Sequence, residues 1–355
     1  MLQNIRILDL TQYLPGPFTT SRLAQLGAEI IKIESPSGDL ARSMTGKETS
    51  PIFEAMNIQK RSQVFNLKVE ADLNTFYEMV KSADVVMESF RPGVAKRLAI
   101  DYETLIQFQP NIIYCSLSGY GQTGTMSSFG SHDLNYMALT GVLSQLKDDQ
   151  AKPVHPTITF ADLIGGMYAS EAILAALLQR ENNNQGKYLD LSLIDPLLSF
   201  MQIHQRLYEE EKTLYGLEDL NGTIVNYAIY ETKDNRYVAL AALEKKFWDN
   251  FCCAVNKDEW KKGHYSKTST ENPLFPEIVS LFQSKTLQEW EGFSKKHDCC
   301  LTPILEIKEL EHHSLHQERN AYRKDNNSLH FYCYPFLKKQ RPVTAPPILG
   351  EYSFE

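Results

Sequence analysis

RILDLTQYLPGPFTTSRLAQLGAEIIKIE, residues 6–34, decides the fold. IRILDL (5–10) is a short apolar run of β-formers, and GPFTTSRLAQLG (16–27) follows with helical spacing and a glycine where a helix stop belongs. EIIKIE (29–34) is a second strand. The same alternation recurs as a helix over ADLNTFYEMVKSA, a strand at DVVMESF (84–90), a helix around ETLIQFQ, and strands at IIYCSLS (112–118) and KYLDLSL (187–193). Strands alternating with helices imply an open α/β sheet with parallel, Rossmann-like pairing. Ligands on such sheets bind beyond the carboxyl ends of the strands, which directs attention to the segments after Leu10, Glu34, Phe90 and Ser118. The dinucleotide fingerprint is absent, because the first turn, TQYLPGPFTT, holds one glycine and two prolines, and no phosphate-loop motif occurs.

DPLLSFMQIHQRLYEEE reads as a long helix leaving this unit. NYAIYETKDNRYVALAAL (226–243) is then a hairpin around Lys233-Asp234-Asn235, with helices from Lys245 to Ala254 and from Lys285 to Lys296. The pattern predicts a large α/β domain over 1–204, a smaller α+β domain over 205–320 and a segment, 321–355, returning to the large domain. The large domain is therefore expected to be discontinuous.

The chain has 355 residues, is 43% hydrophobic and carries a formal charge of −8, which argues against a nucleic-acid surface while leaving room for a local basic pocket. Cys115, Cys252-Cys253, Cys299-Cys300 and Cys333 lack the spacing of zinc or redox motifs and read as buried thiols of a reducing, cytoplasmic compartment. The start of the chain lacks the regions of a signal peptide. The apolar run from Leu163, broken by Ser170 and Glu171, reads as a core helix too short for a membrane span. His312, His313 and His316 read as an exposed helix end, and no metal is assigned.

Three side chains suggest proton transfer at carbon: His132 in SHDLNYMALTG, Asp162 in FADLIGGM and Glu244 in ALEKKFW. An imidazole and a carboxylate on opposite faces of a carbon can each remove or return a proton. Singly, Asp162 reads as a helix N-cap, His132 as a satisfied polar residue and Glu244 as a solvated carboxylate near a helix start.

The stretch RILDLTQYLPGPFTTSRLAQLGAEIIKIESPSGD resembles the opening of the class III CoA-transferase family (CaiB/BaiF-like). The likeness continues through KRSQVFNLK (60–68), ADVVMESFRPGVAKRLAIDYETL (83–105), SLSGYGQTG (116–124) and GKYLDLSLIDPLL (186–198) to PPILGE. This family contains CoA-transferases and α-methylacyl-CoA racemases. SHDLNYMALTG is similar to the racemases' G-H-D-I-N-Y-x-A-L-x-G, with His132, Asp133 and Tyr136 in register and Ser131 at the pattern's glycine, so that Ser131, Asp133 and Tyr136 would contact the CoA ligand, and ALEKKF is similar to their A-I-E-P-x-F. The resemblance implies that His132 and Asp162 are bases of an α-methylacyl-CoA racemase-like enzyme and that Glu244 bonds the imidazole. Asp162 would instead be the acyl-accepting nucleophile of a transferase, and a member that binds CoA without catalysis is a third reading.

The same resemblance implies an interlocked homodimer, an acyl-CoA substrate and no cofactor beyond its CoA moiety. Arg91, Arg97 and Lys68 would meet CoA phosphates, while Phe65, Asn66, Leu67, Ser89 and Phe90 would line the adenine and pantetheine. Where the family often has E-R-P, this chain has Glu34-Ser35-Pro36, so that Arg42, Lys60 or Arg61 would substitute for the arginine or CoA would bind more weakly. Oxyanion donors are expected at the start of the helix that Asp162 opens. Tyr13, Leu14 and Leu193 are candidates for shaping the acyl pocket.

Overall fold

The computed structural model describes residues 1–44, 50–148, 150–325, 328–337 and 344–354. Its chain divides into two compact units, Met1–Gln202 with Ser314–Glu355, and Ile203–His313.

The larger unit is built on six parallel strands: β1 (Arg6–Leu10), β2 (Glu29–Glu34), β3 (Arg61–Val64), β4 (Val85–Glu88), β5 (Ile113–Ser118) and β6 (Lys187–Ser192), in the order β3-β2-β1-β4-β5-β6. The order reverses between β1 and β4, which makes the gap beyond their carboxyl ends the crevice where such sheets hold ligands. Five of these strands follow the apolar runs of the sequence. β3 does not, because RSQV at the sheet edge buries one residue fully and offers no apolar run to read.

Strand alternation sorts the core into two layers. Ile7, Ile30, Val85, Met87, Ile113 and Cys115 face one side, and Leu8, Leu10, Ile31, Ile33, Val86 and Tyr114 face the other. Helix α1 (Pro15–Gln25) begins with proline, whose fixed φ suits the first helical turn, and ends before Gly27 at φ +112°. Four further helices of this unit matter below: α2 (Pro51–Asn57), α3 (Glu70–Val80), α4 (Asp133–Leu139) and α5 (Phe160–Asn183). Phe76, Met79 and Val80 of α3 complete the second layer.

α5 has 24 residues, so by length and composition alone it could cross a bilayer, contrary to the reading of its apolar run as too short. Its buried side nevertheless packs on α1 and on Leu193, and one glycine makes each approach possible. A Cβ on Gly166 would lie 2.7 Å from the Pro15 carbonyl oxygen, and one on Gly165 would strike Leu193. The Thr19 hydroxyl also donates to the Gly166 carbonyl at 3.0 Å. Gly166→Ala should therefore cost about 1–3 kcal/mol through overpacking. A urea midpoint equal to that of the wild type would refute this.

Beneath the carboxyl ends of β1–β3 lies a buried charged network. Lys60 Nζ sits 3.1 Å from Asp9, which also accepts from the Thr11 and Thr20 hydroxyls. Lys32 pairs with Asp39 at 2.8 Å, and Arg42 forks onto Glu34 at 2.8 and 2.7 Å. Asp39 then accepts from the Tyr13 backbone N–H at 3.1 Å, so the network fixes the loop after β1. Tyr13 holds φ +64° there, a left-handed backbone unusual for a bulky residue.

Residues 347–354 lie along β3. The Gly350 N–H donates to the Ser62 hydroxyl, the Tyr352 N–H to the Ser62 carbonyl and the Phe354 N–H to Gln63 Oε1. The helix expected to leave the sheet as one piece is instead two, Ile194–Phe200 and Gln202–Glu211.

The smaller unit holds an antiparallel sheet of β7 (Tyr227–Glu231), β8 (Tyr237–Ala241) and β9 (Leu301–Pro303). Asn235, at φ +55°, turns the hairpin. Its core is aromatic, with Tyr230 stacked on Phe282 at 4.4 Å and Trp248, Phe251 and Trp290 buried around them. Helix α6 (Lys245–Ala254) supplies Trp248 and Phe251. All six cysteines are free, but Cys253 is exposed, so the thiols are not uniformly buried.

Candidate functional site

Asp133 joins two of the three candidate catalytic segments. Its carboxylate accepts the backbone N–H of Asp162 at 3.1 Å and also bonds that of Ala161, so a side chain in the first turn of α4 caps the start of α5. His132, the N-cap residue of α4, is thereby held in the neighbourhood of Asp162. The imidazole is exposed, and its backbone N–H donates to Asn135 Oδ1 at 3.0 Å. Asp133, the residue after His132, thus ties the start of α4 to the start of α5, which carries Asp162.

Asp162 lies in the first turn of α5 and is not its N-cap, a position taken by Thr159. Burial, with the Asp133 carboxylate adding like-charge repulsion, pushes Asp162 up to about 7. Asp133 is raised as well, chiefly by burial, although the two amides it accepts pull it back.

The α5 amides of Ala161 and Asp162 are occupied by Asp133 and are not free for a developing oxyanion, which corrects the expectation from the sequence. Free donors occur one segment earlier. The backbone N–H groups of Asp133 and Leu134, in the first turn of α4, have no acceptor among the described residues. Such amides are orphaned at every helix start and suit developing negative charge.

Tyr136 is buried behind this site, where its hydroxyl accepts from Ser131 at 2.8 Å and its ring meets Tyr120 edge-on at 5.5 Å. Burial raises its phenol, and Ser131 opposes the shift. Gly119 is required here, because a Cβ would fall 2.5 Å from the Tyr136 oxygen.

The other candidates follow the carboxyl ends of β3 and β4. The loop after β3 is shaped by the Asn66 N–H donating to Asp72 at 2.7 Å. Lys68 is exposed beside it, Leu67 is partly buried, and the Phe65 ring is 6% exposed and packs on Phe76, so it faces the core. At the reversal of strand order, the Ser89 hydroxyl accepts the Gln12 N–H at 3.1 Å and ties the β4 turn to the β1 turn. Phe90 is half-buried. Arg91 and Arg97 are exposed cations with no carboxylate partner among the described residues.

None of the three cations named as substitutes for the family arginine is free for that task. Arg42 is spent on Glu34 and stacks over Phe53, Lys60 is buried against Asp9, and Arg61 pairs with Glu29 at the amino end of β3. Ser35 itself is exposed and bonded to Ser37 at 2.9 Å. Leu193 is buried against Gly165, whereas Leu14 is half-buried and Tyr13 exposed on the loop after β1.

Glu244 belongs to the smaller unit. It is the exposed N-cap residue of α6, with no side-chain capping bond. A residue that sequence reasoning passed over is Glu88, a buried carboxylic acid ending β4. Its signal is a lone acidic residue in the apolar run VVMESF.

The sequence matches the profile of CoA-transferase family III over residues 2–352. It is 30% identical over 365 residues to the α-methylacyl-CoA racemase of Mus musculus, covering all of this chain and 92% of that protein. It is 29% identical to the succinyl-CoA:glutarate CoA-transferase of the same species, covering 99% and 84%. Among solved structures, a CaiB/BaiF family protein from Brucella suis superposes with a TM-score of 0.84 at 22% identity, covering 98% of this chain and 96% of that one. With the whole doubly wound sheet and nearly every residue matched, the chain belongs to CoA-transferase family III.

Proposed function

We propose that the protein is an α-methylacyl-CoA racemase-like enzyme that moves a proton reversibly at the α-carbon of a 2-methylacyl-CoA thioester. The observation that carries this reading is a carboxylate poised near neutrality, Asp162, held beside His132 through Asp133. An α-hydrogen next to a thioester is weakly acidic, so both a base and stabilisation of the enolate are needed. His132 and Asp162 serve as bases on opposite faces, and the amides of Asp133 and Leu134 receive the enolate oxygen. Each direction uses the same single proton shared between the two groups. One starts with neutral imidazole and protonated Asp162, the other with imidazolium and carboxylate. A carboxyl raised to about 7 can serve as acid in one direction and as base in the other near neutral pH.

Arg91, Arg97 and Lys68 hold the CoA phosphates in this reading. Backbone around Phe65, with Asn66, Leu67, Ser89 and Phe90, lines the nucleotide and pantetheine. The guanidinium forks suit phosphate oxygens. The chain is further proposed to form an interlocked homodimer, in which Glu244 of the partner subunit accepts from the His132 imidazole and sets its tautomer. Supporting this, α4, α5 and the helix Ile194–Phe200 pack together and expose Leu139, Met167, Leu198 and Phe200. Sedimentation should therefore give a dimer.

The runner-up is a CoA-transferase in which Asp162 attacks the thioester, expels CoA thiolate and forms an acyl anhydride. It is favoured by the near-equal likeness to the glutarate transferase. Deuterium separates the two. In D₂O with one enantiomer of a 2-methylacyl-CoA and no acceptor acid, the racemase reading predicts α-deuterium incorporation with loss of optical purity. No exchange across several chain lengths, with an Asp162 hydroxamate trapped instead, would establish the transferase; CoA binding with neither outcome would leave a non-catalytic member. His132→Ala should slow the two directions unequally, as followed by exchange from each enantiomer, and equal or negligible losses would contradict the assigned roles.

A further inference from the structure

Glu88 ends β4, where it lies beside Leu10 of β1 and Ser116 of β5. It is 2% exposed. One carboxylate oxygen accepts the Phe90 N–H at 2.6 Å and so closes a turn over Ser89; the other accepts the Ser116 hydroxyl in a short bond. The Tyr188 hydroxyl donates to the same Ser116 oxygen at 3.4 Å. The residue that follows this turn is Arg91, whose guanidinium reaches toward Gly130 in the loop that carries Ser131 and His132.

The titratable groups around Glu88 are Tyr114 and Cys115 on β5 and Tyr188 and Asp190 on β6, while β1 contributes the uncharged Leu10. Asp101 stands beyond Tyr114. No cation is among them. Burial pushes Glu88 up to about 7; the Ser116 and Phe90 bonds pull it down and Asp190 adds a smaller upward push. This is unlike Glu34, Asp9 and Asp39, whose buried carboxylates all have cations.

We propose that Glu88 positions the Ser89–Arg91 turn for the CoA moiety and takes up a proton when CoA binds. The inference rests on the reading of Arg91 and its neighbours as CoA contacts. A diphosphate at Arg91 offsets the guanidinium charge at the end of the turn that Glu88 closes, and so favours the neutral acid. The neutral acid keeps the turn, because its O–H can donate to Ser116 while the other oxygen still accepts from Phe90. By linkage, a ligand that raises the proton affinity of a group binds more weakly as pH rises through its titration.

Calorimetric titration of the full-length protein at pH 7 with dephospho-CoA, in buffers of different ionisation enthalpy, tests this. That probe retains the diphosphate and lacks the 3′-phosphate, which would itself titrate near neutrality. The wild type should take up roughly 0.2–0.5 proton per site and Glu88→Gln none, with dephospho-CoA still bound. Ser116→Ala removes a bond to the charged form and should move the midpoint of uptake to higher pH. Equal uptake by wild type and Glu88→Gln, or no uptake by either, would overturn the proposal. Should Glu88→Gln fail to fold, an unmoved midpoint in Ser116→Ala would overturn it on its own. Absence of binding to the wild type is a different result, which removes the CoA reading and this inference with it.

Discussion

Asp162→Asn is expected to lower α-hydrogen exchange about 10³-fold, within the range that a positioned acid or base contributes. The amide retains the volume of the carboxyl and its place in the first turn of α5, and the backbone bond from Asp162 to Asp133 does not involve the side chain, so the local fold should persist. Affinity for the CoA thioester should change by less than about threefold, because the lost interaction belongs to the reacting carbon. In the wild type, burial holds Asp162 near 7, and its base form accumulates as pH rises through that value. Because both starting states share one proton between His132 and Asp162, racemisation in each direction should pass through a maximum with pH, one limb of which is set by the Asp162 carboxyl near 7. The variant should lose that limb. Exchange remaining within tenfold of the wild type would remove Asp162 from the chemistry.

The second large effect is on stability. Lys60→Met should cost about 3–5 kcal/mol, the penalty for breaking a buried ion pair and leaving its partner uncompensated. Lys60 and Asp9 are both inaccessible to solvent, and the ammonium also donates to the Pro17 carbonyl and to Asn57 Oδ1 at 2.9 Å each. Burial alone would raise Asp9; Lys60 first and Lys32 second hold it well below the usual carboxylate range. In the wild type this depressed carboxyl contributes stability above its unfolded pKa, lost as pH falls through the folded value. Without Lys60, burial dominates and Asp9 moves above its unfolded value, so the folded variant binds the extra proton and loses stability as pH rises from about 4. The variant's denaturant midpoint should accordingly fall between pH 5 and pH 8, a window in which Asp9 gives the wild type no change because both its folded and its unfolded values lie below it. A methionine variant with an unchanged midpoint would show that Lys32 suffices for Asp9.

The apolar runs and the helical spacing between them carried the sheet, because strands buried on both faces announce themselves in composition. β3 escaped, since an edge strand of four residues is held by backbone pairing with β2 and by residues 347–354 and needs little apolar side chain. His132 and Asp162 stand out in the sequence by their local settings, but the bond that ties their two helix starts does not, because it depends on a side chain of α4 reaching the amides of α5 across 29 positions. The same contact displaced the expected oxyanion donors. Arg42 and Lys60 looked available in sequence and are consumed inside the protein, a distinction that only tertiary pairing makes. Glu88 shows in the sequence only as a lone acid in an apolar run, since its lack of an ion-pair partner among the described residues is a matter of tertiary placement.

The strip at 347–354 that pairs with β3 gives the sheet an order of completion. Its closing bonds join residues 288 and 291 positions apart, so they are among the contacts with the greatest cost in loop entropy. During synthesis at the ribosome, β1 to β6 can be paired long before the strip is available, with the Ser62 carbonyl and the Gln63 side chain of β3 still uncovered. A growing chain would then present an open sheet border to its neighbours, the condition under which strands of different molecules associate. The charged and hydroxylated residues of β3, Arg61 and Ser62, limit that hazard in the interval before the strip arrives.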